Sequence, residues 1–138
     1  KAGFKEAWKS LKKGNLYYNM HEYDRAYEIY KDVKPMLNAE DQSFCQFRMG
    51  ECFYNRVQFA EAITEYLKVY YISPPTRLAW KPTALIKAGD AYVKINKPEK
   101  AVRLYAKVID NQGSVSRMGR TARERIERIE EKNEQPQG

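Results

Sequence analysis

The side chains best suited to nucleophilic or metal chemistry in this 138-residue chain are a single histidine, His21, and two cysteines, Cys45 and Cys52. Zinc calls for about four ligands at short spacings, and these three neither reach that number nor cluster in sequence. A nucleophile activated by histidine could use only His21, which lies away from both cysteines. Cys45 and Cys52 are seven residues apart; on one helix that is about 10 Å along the axis. A disulfide tolerates a Cα separation of only about 7 Å, so the two are read as small unpaired core side chains. The adjacent carboxylates Glu40-Asp41 and Glu130-Glu131 fall at expected helix ends, the first pair at an N-terminus, where the helix dipole favours acidic residues. Seven glycines are scattered without the spacing of a phosphate-binding loop. The chain is therefore expected to have no catalytic centre, no metal and no cofactor.

The elements that position these residues are helices. Phe4, Ala7, Trp8, Leu11, Leu16 and Met20 follow a helical rather than a strand period and predict a first helix over 4–20. A second follows over 22–34, closed by Pro35, with His21 in the turn between them. Asn38 or Asp41 is placed to cap a third helix reaching Asn55, and a fourth spans 59–72, stopped by Ser73-Pro74-Pro75. A fifth is expected over 82–95, opening on Pro82. The sixth covers 98–110 and ends at Gly113. Ser114 is the expected cap of a seventh over 115–132.

A set of residues recurs through these helices. Gly14, Gly50 and Gly89 each precede an aromatic by three residues (Tyr17, Phe53, Tyr92), an alanine by twelve (Ala26, Ala62, Ala101) and a tyrosine by sixteen (Tyr30, Tyr66, Tyr105). The glycines are 36 and 39 residues apart (50 − 14 and 89 − 50), as are the alanines, so length changes fall in the connections. Close helix approach needs small side chains, which leads to the expectation that each glycine faces the alanine of its own pair. Most of the eleven tyrosines are accordingly assigned to packing.

This register resembles the tetratricopeptide repeat, of period about 34 and pattern W-x2-L-G-x2-Y…A-x3-F…P. Pro74 supplies the closing proline of the second copy. Ser10, Gln46 and Leu85 stand in place of the tryptophan; Lys13, Met49 and Ala88 stand in place of the leucine. The resemblance implies an all-α fold, a right-handed superhelix of three helix pairs (about 4–37, 40–74 and 79–113) with a C-terminal capping helix over 114–132 and a disordered tail over 133–138. It also implies a concave groove, lined by the first helices of the pairs, that takes a protein or peptide segment. Carried onto this chain, the groove positions are Lys12, Asn15, Tyr18 and Asn19; Arg48, Glu51, Tyr54 and Asn55; and Lys87, Asp90, Val93 and Lys94. Tyr18-Asn19 and Tyr54-Asn55 match in register, pairing an amide able to bond a peptide backbone with a ring carrying a polar tip. Some members of the family hold a peptide's terminal carboxylate with lysine, asparagine and arginine. Here Asn15 matches, but Leu11, Arg48, Thr83 and Lys87 replace the rest, and Glu51 and Asp90 would repel a carboxylate.

The net charge is +7. Residues 1–14 hold five lysines and one glutamate (+4), and residues 76–103 hold seven basic and two acidic residues (+5). Such charge permits attraction to acidic partners or nucleic acid, but nucleic acid is the weaker expectation. The arginines of the seventh helix, Arg117, Arg120, Arg123, Arg125 and Arg128, alternate with glutamates and are expected to form a solvated face. No apolar run approaches the ~18 residues of a membrane span. The expected role is a non-catalytic scaffold or adaptor, an excised domain or processed chain, with nucleic-acid binding and self-association through Trp80 and Tyr70-Tyr71 as alternatives. Its oligomeric state is left open. The drifted loops and end helix are similar to bacterial envelope proteins of the Tol-Pal-associated type; the compartment is left open between the cytoplasm and the bacterial periplasm or envelope.

Overall fold

The computed structural model describes residues 2–134, so the part of the expected tail at 135–138 lies outside the described residues. Seven helices follow one another: α1 (Ala2–Asn19), α2 (Tyr23–Val33), α3 (Ala39–Asn55), α4 (Phe59–Ile72), α5 (Trp80–Lys94), α6 (Pro98–Gln112) and α7 (Arg117–Glu134), with a 3-10 turn Lys34–Met36 after α2. Each helix packs against its successor, and α5 also touches α3 and α7. The pairs α1/α2, α3/α4 and α5/α6 therefore stack as an all-α superhelix, with α7 laid on the last pair.

The helix ends show why the chain turns where it does. Asn38 caps α3, its side-chain oxygen accepting the Asp41 N–H at 2.9 Å. Within each pair, the turn uses one residue in the left-handed region: His21, Val57 and Asn96, each at φ 62°. In all three the next amide reaches back five residues, from Glu22 to Tyr17, Gln58 to Phe53 and Lys97 to Tyr92, at 2.9 Å. This closure satisfies carbonyls that the end of a helix leaves open. His21 thus occupies a turn station that valine and asparagine fill elsewhere, a backbone role.

Several expected boundaries shift. Pro35 does not end the second helix abruptly, because Lys34–Met36 continue it as a tighter turn. The fifth helix begins at Trp80, with Pro82 inside its first turn. Ser116, not Ser114, caps α7: its hydroxyl oxygen accepts the Gly119 N–H at 3.0 Å and donates to the Gly113 carbonyl at 2.9 Å. Helix α7 runs two residues past 132, so Asn133 and Glu134 are helical.

The expectation that glycine faces alanine is overturned. A Cβ placed on Gly50 would lie 2.5 Å from the Tyr66 ring, one on Gly89 would lie 2.5 Å from Tyr105, and one on Gly14 would lie 3.1 Å from Tyr30. The glycine makes room for the tyrosine sixteen residues later, while Ala26, Ala62 and Ala101 are buried in the clusters along the stack. A tyrosine ring is too bulky to lie across a helix unless the residue beneath it has no side chain. Gln46, standing where the repeat pattern has tryptophan, is wholly buried. Its amide donates to the Glu65 carbonyl at 2.9 Å and accepts from Lys34 Nζ at 2.7 Å, so its desolvation is compensated. Trp80 packs against Phe44 and Phe47, with ring centroids 5.7 and 5.5 Å apart. It joins the second and third pairs and is only partly exposed.

Candidate functional site

The three pair tyrosines do more than fill space. Tyr30 donates its O–H to Asn15 Oδ1 at 2.6 Å, Tyr66 to Glu51 Oε1 at 2.6 Å and Tyr105 to Asp90 Oδ1 at 2.5 Å. Asn15, Glu51 and Asp90 are the residues directly after the repeat glycines. The second helix of each pair thereby fixes the polar residue at the middle of the first. Burial pushes all three phenols well above the ordinary tyrosine range, with Glu51 and Asp90 adding to the shift at Tyr66 and Tyr105.

A second set of contacts crosses from pair to pair. Arg48 lies over the Tyr18 ring at 3.9 Å and donates to Tyr30 Oη at 3.4 Å. Lys87 lies 3.6 Å from Glu51 and 3.8 Å from the Tyr54 ring centroid. Arg125 Nε meets Asp90 Oδ1 at 3.1 Å. At every seam, then, a cation from the later first-type helix reaches back to the preceding pair. Asn55 adds a bond to Tyr18 Oη at 3.2 Å. Burial chiefly, and Glu51 next, push the Tyr18 phenol up to about 12, so it is neutral at physiological pH.

These contacts sort the groove residues anticipated from the sequence. Asn15, Glu51, Asp90, Arg48 and Lys87 are brought together as a partly buried floor whose polar atoms bond one another. Tyr18 and Tyr54 lie on that floor as rings beneath cations. Asn19, Asn55, Val93 and Lys94 are exposed at the C-terminal ends of α1, α3 and α5. Lys12 is also exposed and lies 4.7 Å over the Trp8 ring on its own helix.

The expected solvated arginine face of α7 needs correction at Arg125. Only Arg123, which pairs with Glu127 at 3.7 Å, is held to a glutamate of its own helix. Arg125 is turned into the groove, 35 residues after Asp90 and thus at the station of Asn15, Glu51 and Asp90. That interval was the available signal: α7 continues the first-helix series, and the alternating charges of 117–131 concealed it. Between α5 and α7 a cleft of about 650 Å³ opens, lined by residues that include Tyr54, Val93, Lys94, Arg125, Arg128, Ile129 and Lys132. Of these, Arg128, Ile129 and Lys132 were missed as groove residues for the same reason.

Cys45 and Cys52 are both buried and unpaired. Burial pushes each thiol up to about 12, which makes them poor nucleophiles. No cluster of metal-ligating side chains occurs among the described residues, and no described helix is long and apolar enough to cross a membrane.

Stacked helix pairs with a cross-linked concave face define a helical-repeat protein. Residues 83–113, which make up most of α5 and α6, match the family model of the tetratricopeptide repeat. Two solved structures share the arrangement. The N-terminal domain of stress-induced protein-1 from C. elegans superposes with a TM-score of 0.74 at 17% identity, covering 91% of this chain and 98% of that one. A tetratricopeptide-repeat-like protein from Chlorobium tepidum gives 0.61 at 16% identity, covering 90% and 94%. The fold is thus that of a tetratricopeptide-repeat domain. No curated protein matches the sequence.

Proposed function

We propose that this chain is a non-catalytic interaction module that holds a protein segment against its concave face. The observation that carries this reading is the division of labour along the first helices. The polar floor, from Asn15 to Arg125, is satisfied internally and held by buried tyrosines, so it costs little to keep in shape when a partner arrives. The residues with bonding capacity left over, Asn19, Asn55 and Lys94, stand in register above it beside Val93. A prearranged surface with exposed amides at its rim suits an extended segment or short helix. The buried, protonated thiols and the turn role of His21 support the absence of catalysis. The basic residues of 76–103 do not converge on one patch, since Lys87 is engaged with Glu51 and Lys100 lies over Tyr92 on another helix, which disfavours nucleic acid.

The test is the double substitution Asn19→Ala with Asn55→Ala, assayed against a partner captured with the domain as bait. Each lost hydrogen bond is worth about 0.5–1.5 kcal/mol, so affinity should fall about tenfold while the melting temperature stays near that of the parent. Undiminished affinity for a verified partner would rule the groove out.

A further inference from the structure

We propose that the cleft between α5 and α7 docks an acidic protein segment through one aliphatic anchor residue, which makes α7 part of the binding surface as well as the cover of the last pair. This rests on the groove reading above and adds the chemistry of the partner. Arg125 and Asp90 neutralise each other on the cleft floor, and Tyr105 donates to the same carboxylate oxygen. Electrically the floor is closed. Above it stand Lys94, Arg128 and Lys132, for which no carboxylate lies within ion-pair distance among the described residues; besides the neutralised Asp90, the one acidic residue of the lining is Glu131.

Three like charges around one concavity repel one another, and carboxylates entering it relieve that repulsion in a partly desolvated site where attraction is less screened than on open surface. Apolar area is present in the same place. Val93 is 41% exposed at the cleft wall, and the Tyr54 ring and half-buried Ile129 continue the lining. A volume of about 650 Å³ holds a few side chains. Carboxylates flanking a leucine-sized residue satisfy both demands. A nucleic-acid phosphate backbone would meet the cations but leave the apolar wall uncovered.

The test uses the full chain and a labelled synthetic peptide in which glutamates flank leucines. Its companions are the same peptide with leucine replaced by serine, the same with glutamate replaced by glutamine, and an oligothymidylate of similar length. Proteins are the parent, Arg128→Glu/Lys132→Glu, Val93→Ser, and Lys9→Glu/Lys13→Glu, which makes the same net charge change at the exposed α1 lysines. The acidic leucine peptide should bind the parent and lose at least tenfold on Arg128→Glu/Lys132→Glu. It should lose severalfold on Val93→Ser and less than twofold on the α1 reversal. Both altered peptides should bind at least tenfold more weakly. The proposal is overturned if the peptide does not bind, if both charge reversals weaken it equally, if the serine peptide binds as well, or if oligothymidylate binds more tightly. Val93→Ser leaves the charges in place and so separates loss of the anchor from any disturbance of α7. Peptide binding that is lost on Asn19→Ala/Asn55→Ala but survives the α7 reversal would remove this cleft and leave the groove reading standing. Binding that requires α7 and ignores both asparagines would sustain the cleft and remove the wider groove.

Discussion

Tyr66 links its own helix pair to the next one. Its ring occupies the space that Gly50 leaves open, and its hydroxyl holds Glu51, which in turn meets Lys87 of the next pair. Ionising it would place a charge against a carboxylate in a site with little water. Tyr105 shares the predicament against Asp90, while Tyr30, bonded to an amide, is held up chiefly by burial. The sign of the pH dependence follows. The folded state holds these protons above the ordinary value of 10.0, whereas the unfolded chain releases them near it, so their contribution to stability is complete below pH 10 and is lost as pH rises through the folded values. An alkaline titration followed by ultraviolet difference absorbance, with helical circular dichroism read in parallel, tests this. Tyr30, Tyr66 and Tyr105 should ionise only in step with loss of helical circular dichroism. Ionisation of every tyrosine before any loss of helix would contradict their burial and bonding. The glycine-to-tyrosine interval of sixteen was plain in the sequence, but not that ring and glycine meet. Register aligns equivalent stations, whereas which side chain overlies which depends on how the two helices of a pair are rotated, and nothing in the spacing states that.

At the scale of the element, the three within-pair turns share one backbone solution and differ in how well their residues suit it. Asparagine at position 96 tolerates the left-handed conformation; valine at position 57, exposed and β-branched, does not. Val57→Asn should therefore stabilise the domain by about 1 kcal/mol, a little below the ~1–2 kcal/mol cost of that conformation for an ordinary residue, read as a shift in denaturation midpoint at constant slope. No shift would mean that the turn relaxes out of this geometry in solution. Helices as such were legible: the periodicity of 4–20 and the prolines at 74, 75 and 98 bracketed them to within a few residues. Caps were less so, since Ser114 and Ser116 are equally able acceptors by residue type. The choice went to the serine that can bond both Gly113 and Gly119. Arg125 shows the same difficulty in the groove. Its neighbours alternate in sign along α7, and only the 35-residue interval from Asp90 distinguishes it from a solvated arginine.

The molecule as a whole is a line of units that touch mainly their neighbours. Middle units are covered on both sides and end units on one. Leu16 makes the contrast concrete: it is 63% exposed, while Cys52 and Ala91 at the same station of the next pairs are 1% and 0% exposed. Amide hydrogen exchange should accordingly be slowest in α3, α4 and α5 and fastest in α1 and α7, with opening that starts at the ends. Uniform protection along the chain would show instead that it opens as one body. Stacking of this kind was foreseeable from three glycines in register, because a repeated pair has to bury its faces against copies of itself. The use to which the last helix is put was not, since a cover and a binding wall call for similar residues.

The cation at each seam has a mechanical consequence. Within a pair, a tyrosine laid over glycine locks two helices into a stiff slat, whereas adjoining slats are latched on the concave side by Arg48, Lys87 and Arg125. Those latches should make the opening of the mouth sensitive to ionic strength even where no ligand touches a charge.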